Sequence, residues 1–275
     1  MFVATAQPNT EPVYAEPVAK DLSELARLAE AAADAARREI LPRFRRVKVE
    51  TKADGSPVTE ADREAERAIR EVLREGDPGT PILGEEMGEE AGETHGGGSW
   101  VVDPIDGTIA FSRGIPLFGS LIARLDEEGR SVLGLIDLPT LGERYVGWKG
   151  GGCFRNGEPV RVSQANDLQR SLVAHGDAFC FERVGEKPAF ERMARELPFL
   201  RGYTDAFGHA QVLHGGVDAM IDLDLNPWDA AATQILVPEA GGECRTSVYP
   251  GGRIGLVFGA PALVDQLAAY LTGPG

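Results

Sequence analysis

Residues 100–108 read Trp-Val-Val-Asp-Pro-Ile-Asp-Gly-Thr, placing two carboxylates, Asp103 and Asp106, within four positions at the end of an apolar run. Carboxylates this close resist joint ionisation unless positive charge lies between them. Two accounts fit. Asp, Pro and Gly are ordinary turn residues, so the stretch reads as an Asp-Pro turn. A bound divalent cation fits as well, because Asp103, Asp106 and the backbone carbonyl of Ile105 offer the hard oxygens that Mg²⁺ favours. Val101, Val102 and Ile105 draw the pair toward the core, where carboxylates are rarely left unpaired, and Pro104 limits the freedom of the backbone. Gly107 and Thr108 follow. Glycine permits close backbone approach, and successive amides opening a helical turn make an anion site. Metal-binding oxygens beside anion donors describe a phosphate ester held against magnesium.

Other acids carry a structural reading next to the chemical one. Asp62 lies in Thr59-Glu60-Ala61-Asp62, which is close to a capping box at a helix start. Glu85 and Glu86 follow Ile82-Leu83-Gly84, and in GEEMGEE the pair reads most simply as a solvated loop. Asp229 sits far away in Asn226-Pro227-Trp228-Asp229-Ala230-Ala231-Ala232, where capping again accounts for it. A role for Asp229 beside Asp103 requires the fold to bring it back, which spacing alone does not show.

The elements that would position these residues follow from periodicity. Leu22, Leu25, Leu28, Ala29, Ala32, Ala36 and Ile40 predict a helix from Asp21, closed by Pro42. The polar connection VKVETKADGSPV leads to a second helix near Thr59, with Ala61, Ala65, Ala68, Ile69, Val72 and Leu73 as its stripe and Gly76 past its end. Strand-like PILGEE and SWVVDPID come next. LFGSLIARL, SVLGLIDLP and ERYVGWKGGGCFRNG then predict an antiparallel meander. Beyond about residue 165, strands at SLVAHGD, LRGYTD and DAMIDLD alternate with helices at PAFERMAREL, AFGHAQVLHGG and WDAAATQILVPEAGG. Pro238 is expected to kink the last of these, and one strand and one helix finish the chain. The pattern implies layered α and β elements in two lobes, 18–163 and 164–275, after a mobile tail over 1–17.

Composition narrows the function. The 275 residues carry 43 acids and 28 lysines and arginines, a net charge of −15, which argues against nucleic acid as a partner. The same field repels an anionic substrate, so a phosphate site needs local positive charge, and bound metal is the simplest source. No apolar run approaches the ~20 residues needed to span a bilayer, and the first residues lack the features of a signal peptide. With no such run, no membrane is expected as a partner; Cys153, Cys180 and Cys244 form no zinc or disulfide framework, which fits a reducing cytoplasm.

Taken together, VTEAD at 58–62, GEE at 84–86, WVVDPIDGT at 100–108 and PWDAAA through EAGG at 227–242 resemble the inositol monophosphatase family of Mg²⁺-dependent, lithium-sensitive phosphatases. Lys52 also fits, and the motifs stand in family order over nearly the whole chain after the tail. The resemblance implies the layered αβαβα sandwich of the sugar-phosphatase type and a homodimer. It implies two or three Mg²⁺ ions. Glu85, Asp103, the Ile105 carbonyl and Asp106 would bind the main metals, Asp229 would complete the second, and Asp62 would hold a weaker metal or the attacking water. Gly107 and Thr108 would contact the phosphate, and Glu85 and Thr108 would orient a metal-activated water. Ala110 departs from the family, which often has Asn there. A haloacid-dehalogenase-type phosphatase uses two Asp separated by a single residue, whereas two residues separate Asp103 from Asp106, and no Walker loop is present to suggest nucleotide hydrolysis.

Arg201-Gly202-Tyr203-Thr204-Asp205 resembles the R-x-Y-x-D stretch of the histidinol-phosphate phosphatase branch, as do 134–147 and 222–229. Histidinol phosphate carries an ammonium and an imidazole that Asp205 and Asp222 could bind, whereas inositol carries only hydroxyls. Asp229 is counted with the same substrate site. Arg201 would pair with Asp205 or reach the phosphate, and Asp205 alternatively caps a helix from Ala206. The expectation is hydrolysis of histidinol phosphate in histidine biosynthesis, with inositol phosphate or a related sugar phosphate as the alternative. A weakly catalytic regulator of protein or RNA is the rival of another class, and the retained ligands argue against it. His209 and His214 are expected to pack or face solvent, and His95 falls in a Gly-rich loop. His175 is expected to pack or face solvent like His209 and His214, and it is the one to watch because the corresponding strand of the family borders the substrate.

Overall fold

The structure, a computed structural model, describes residues 21–52, 55, 57–92 and 97–272. The stretch 1–17, read as a tail, and His95 lie outside the described residues. Helices α1 (Leu22–Arg43) and α2 (Glu60–Gly76) make the first layer. Ala29, Ala32, Ala33 and Ala36 of α1 are buried with Ala61 and Ala65 of α2, and such small side chains let two helices approach closely. Pro42 lies inside the last turn of α1, and the helix ends just after it, at Arg43. Gly76 is the last residue of α2 and Asp77 its cap. The polar connection between the helices forms a ribbon of β1 (Val49–Thr51) and β2 (Pro57–Thr59), each too short to show periodicity.

Eight strands make the second layer: β3 (Ile82–Gly84), β4 (Gly88–Glu90), β5 (Ser99–Asp106), β6 (Gly119–Leu125), β7 (Ser131–Leu138), β8 (Glu143–Trp148), β9 (Gly152–Arg155) and β10 (Glu158–Pro159). Their order is β10-β9-β8-β7-β6-β5-β3-β4. The predicted meander is there, with its last segment split into β8 and β9 by the glycines at 150–152. β4 escaped notice because charge masks any alternation in GEEMGEE. The short helix α3 (Thr108–Ser112) follows β5.

The second half supplies β11 (Val173–His175), α4 (Ala178–Arg183), α5 (Lys187–Glu196), β12 (Leu200–Gly202), α6 (Asp205–Leu213), β13 (Ala219–Leu225), α7 (Pro227–Glu239), β14 (Glu243–Tyr249), β15 (Arg253–Gly259) and α8 (Pro261–Ala268). Two strands, not one, precede the last helix, turning at Pro250-Gly251-Gly252. The sheet order is β12-β11-β13-β15-β14, parallel from β12 to β13 and antiparallel beyond. Pro238 occupies the last turn of α7, where its missing N–H removes one terminal bond.

α7 packs on β6 and β7 of the first sheet and on β14 and β15 of the second, with α6 beside it, so these helices are the central layer. Their core joins Leu121, Ile136, Ala210, Ala230, Leu236 and Phe258 across both sheets. α4, α5 and α8 cover the far face of the second sheet over Phe181, Met193 and Leu263. The architecture is an αβαβα sandwich. Among the described residues no helix is long and apolar enough to cross a membrane.

Candidate active site

Asp103 and Asp106 are three residues apart, so a regular strand would point them to opposite faces. Pairing of β5 with β6 sets Asp103 opposite Leu121 and Asp106 opposite Gly119, so three steps on one strand match two on the other. This one-residue bulge turns both carboxylates to one side, and it is where a strand tolerates Pro104. Asp-Pro-Ile-Asp is therefore not a turn that leaves the strand but an irregularity within it. The Ser120 hydroxyl donates to the Pro104 carbonyl at 2.7 Å, and the Ile105 amide donates to Asp103 Oδ1 at 3.0 Å.

Asp229 comes back to this place. One oxygen from each of Asp103, Asp106 and Asp229 lies within 4.8 Å of the others. The capping reading of Asp229 also holds, because its Oδ2 accepts from the Asn226 amide at 2.7 Å. Asp62 is built the same way. Its Oδ2 accepts from the amide (2.8 Å) and hydroxyl (2.6 Å) of Thr59, while Oδ1 lies 3.2 Å from the Thr108 hydroxyl. Thr108 Oγ1 is also 2.9 Å from the Ile105 carbonyl, and its one proton serves a single acceptor at a time.

Positive charge is scarce here. Among the described residues no lysine or arginine forms an ion pair with Asp103, Asp106 or Asp229. Burial pushes Asp103 well above the usual carboxylate range, and the charges of Glu85, Asp106 and Asp229 add to it. Asp106 is raised well above that range too, by burial and then by Asp205, Asp229 and Asp222. Asp229 is pushed up to about 7, chiefly by burial. Desolvation raises Asp62 against its bonds to Thr59 and Thr108. Such a knot of buried oxygens with no cationic side chain fits a hard divalent cation.

Glu85 stands at the end of β3, where its Oε1 accepts from Lys52 Nζ at 2.9 Å. The same ammonium lies 2.6 Å from Glu86 Oε1. Burial raises Glu86 to about 7 despite that partner. Burial alone would lower Lys52, but its two acids outweigh it and hold the ammonium charged.

A cavity of about 490 Å³ opens beside the acids, lined by Glu85, Gly107, Thr108, Asp177, Thr204 and Asp205 among polar groups and by Pro57, Ile109, Ile115 and Leu117 among apolar ones. Gly107 has φ +89°, and a Cβ there would stand 3.2 Å from Asp205 Oδ2 and from the Leu117 carbonyl. Asp205 itself has φ +59°, rare for a residue with a side chain. Its Oδ2 accepts from the Thr204 hydroxyl at 2.7 Å, and Thr204 occupies the cap position of α6, so Asp205 faces the cavity instead of capping from Ala206. Burial pushes it up to about 6 against the Thr204 bond, and Asp222 contributes.

The other expected residues are placed differently. Asp222 is buried behind the wall, where its Oδ2 accepts from His209 Nε2 at 3.1 Å, and it is not among the residues lining the cavity. His209 is fully enclosed, with Nδ1 2.6 Å from the Thr233 hydroxyl. Arg201 is exposed on β12 and donates to the Leu200 carbonyl at 2.8 Å; no ion pair joins it to Asp205. His175 donates from Nδ1 to the Gly176 carbonyl at 2.6 Å and packs edge-on against Phe190, and burial lowers its pKa. His214 stacks on Tyr145. Asp177, which sequence reading passed over, lines the cavity while capping α4 through a bond from the Phe179 amide. Its only signal was the Gly-Asp pair ending SLVAHGD, which reads as an ordinary turn.

Residues 21–258 match the profile described as the inositol monophosphatase family. A histidinol-phosphatase of Chlorobaculum parvum is 38% identical over 233 residues, 82% of this chain and 88% of that protein. An inositol-1-monophosphatase of Rhizobium meliloti is 35% identical over 210 residues, 75% of this chain and 78% of its own. Among solved structures, the extragenic suppressor protein suhB of Bartonella henselae superposes with a TM-score of 0.81 at 28% identity, covering 91% of this chain and 98% of that one. Bulged carboxylate strand, returning helix and five-layer sandwich agree with these likenesses: the chain belongs to the inositol monophosphatase family, enzymes that hydrolyse phosphate monoesters.

Proposed function

We propose that the chain hydrolyses histidinol phosphate to histidinol and phosphate, with Mg²⁺ as cofactor, as a step of histidine biosynthesis. Asp103, the Ile105 carbonyl, Asp106, Asp229 and Glu85 would hold the metal ions, with Asp62 at a weaker position; bound there, magnesium supplies Lewis-acid charge to the ester and makes an attacking water more acidic. Glu85 and Thr108 orient that water. The Thr108 hydroxyl stands between Asp62 Oδ1 and the Ile105 carbonyl, so it can pass its own proton to Asp62 as it accepts one from the water. Gly107 and Thr108 present their amides to the phosphate at the start of α3, where the first N–H groups of a helix lack partners within it.

The observation that carries the choice of ester is Asp205. Its carboxylate stands beside the Gly107 backbone, with Asp177 on the same wall. Acids next to a phosphate cradle oppose an ester whose other end is neutral. They suit one whose other end is an ammonium, because a bound cation keeps Asp205 ionised. Ile109, Ile115 and Leu117 give an imidazole an apolar wall. With Asp222 turned to His209, direct contact with the cation falls to Asp205 and Asp177. Inositol phosphate is the second reading, favoured by the relative of that name.

The test is phosphate release, with and without Mg²⁺, from histidinol phosphate, inositol 1-phosphate and a neutral sugar phosphate. Asp205→Ala should lower kcat/KM on histidinol phosphate about 100-fold, as expected for losing one charge-assisted contact, and change inositol phosphate turnover less than about threefold. Parent activity on inositol phosphate equal to or above that on histidinol phosphate overturns the choice. The same reading takes the protein to be a cytoplasmic homodimer with lobes 18–163 and 164–275, and sedimentation at monomer mass would refute the dimer.

A further inference from the structure

Asp62, Glu66 and Arg70 lie at i, i+4 and i+8 on α2, so one face of the helix carries all three. Glu66 and Arg70 are the most deeply enclosed ion pair among the described residues, at 0% and 1% exposure. Their bonds do not stay on the helix. Glu66 Oε2 accepts from the Glu86 amide at 2.7 Å and Oε1 from the Met87 amide at 3.2 Å. Arg70 Nη2 donates to the Gly88 carbonyl at 2.6 Å, and its Nη1 reaches Glu90 Oε2 at 3.0 Å. Arg70 Nε closes the pair on Glu66 Oε1 at 2.8 Å. Together they tie down the backbone just after Glu85. Gly84 leaves room for them, since a Cβ there would fall 2.2 Å from Glu66 Oε1.

We infer that Glu66 and Arg70 are positioning residues for the metal site: they fix the 85–88 backbone to α2, so that Glu85 and Asp62 are held at one spacing by a single rigid helix. The inference rests on the reading of Glu85 as a metal ligand. A buried pair kept only for stability has no need to bond three consecutive backbone positions of a neighbouring hairpin, and apolar replacements of a buried pair are often neutral or stabilising. Supporting bonds behind a ligand typically alter metal affinity 10–100-fold.

The experiment compares the full chain with E66L/R70M, E66Q and, as a control, E85Q. Mg²⁺ binding is followed by calorimetry and folding by thermal melting. Hydrogen exchange at the Glu86 and Met87 amides is measured, with kinetics on whichever ester the parent hydrolyses. E66L/R70M is expected to melt within a few degrees of the parent, to exchange those amides at least tenfold faster and to bind Mg²⁺ about tenfold more weakly. The Mg²⁺ concentration for half-maximal rate should rise similarly, while KM for the ester stays within about twofold. E66Q, which keeps one acceptor, should fall between. If E85Q weakens Mg²⁺ binding and neither clamp variant does, the inference is overturned while the ligand reading stands. If E85Q leaves binding unchanged, the ligand reading fails and the inference with it. Should E66L/R70M not fold, E66Q decides: parental Mg²⁺ affinity overturns the clamp, and weakened affinity with KM for the ester unchanged supports it.

Discussion

At the scale of the residue, two carboxylates do two jobs each. Asp62 and Asp229 both stand at the third position of a helix, give one oxygen to their own cap and turn away from it with the other. The cap fixes the rotamer, and a fixed rotamer aims the second oxygen. Stability and site chemistry therefore pull apart at Asp229. Asparagine would still accept the Asn226 amide while removing a charge whose carboxyl is pushed up to about 7. Asp229→Asn should thus raise the metal-free melting temperature at pH 8, by on the order of 2 kcal/mol or roughly 4–8 °C. At pH 4, where the acid is largely protonated in both the folded and the unfolded chain, it should change little. Mg²⁺ binding should weaken at least tenfold. Thermal melts at both pH values check this, and a destabilised variant at pH 8 would contradict the electrostatic account. The sequence showed both roles locally as rival explanations of one acid, because a motif does not reveal that the two oxygens of a carboxylate can serve different partners.

At the scale of the element, the β5 bulge is the device that turns two carboxylates of one strand to the same side. It depends on one extra residue and is pinned by the bond from Ser120 to the Pro104 carbonyl inside the core. Ser120→Ala removes that donor and leaves a buried carbonyl unpaired, which costs about 1–3 kcal/mol. The variant should melt lower and require several-fold more Mg²⁺ for half-maximal rate. Unchanged Mg²⁺ dependence would show that the bulge holds itself. Sequence made the meander, both N-terminal helices and the motif positions legible, since periodicity and glycine spacing are local. It did not make the bulge legible, because Asp-Pro-Ile-Asp serves equally as turn or bulge until the pairing of Leu121 and Gly119 is known. The β1–β2 ribbon and β4 stayed hidden because strands of three residues are too short to show an alternation. The burial of Glu66 and Arg70 was hidden too, since on a helix surface they look like an ordinary solvated pair.

At the scale of the whole molecule, the site draws Asp62 from the outer helical layer and Glu85, Asp103 and Asp106 from the first sheet. Asp205 and Asp229 come from the central helices. Folding therefore gathers acids in a chain that already carries −15, and the metal-free fold bears the repulsion. Asp229 is pushed up to about 7, Asp205 to about 6, and Asp103 and Asp106 well above the usual range, whereas unfolded carboxyls titrate at about 4. The folded state thus holds more protons than the unfolded one from about pH 4 upward, so its stability falls as pH rises through about 7. Mg²⁺ held as proposed would displace those protons and reverse the slope. At 100 times its dissociation constant it contributes about 2.7 kcal/mol, or roughly 5–10 °C for a chain of this size. The metal-free protein should therefore melt progressively lower from pH 5 toward pH 8. A fixed Mg²⁺ concentration should raise the melting temperature by several degrees more at pH 8 than at pH 5, where protons compete for the same oxygens. Melting curves at four pH values, with EDTA and with Mg²⁺, separate the two slopes. A metal-free profile flat from pH 5 to 8, with an equal Mg²⁺ increment at both ends, would mean that the gathered acids are not the electrostatic load that the metal relieves.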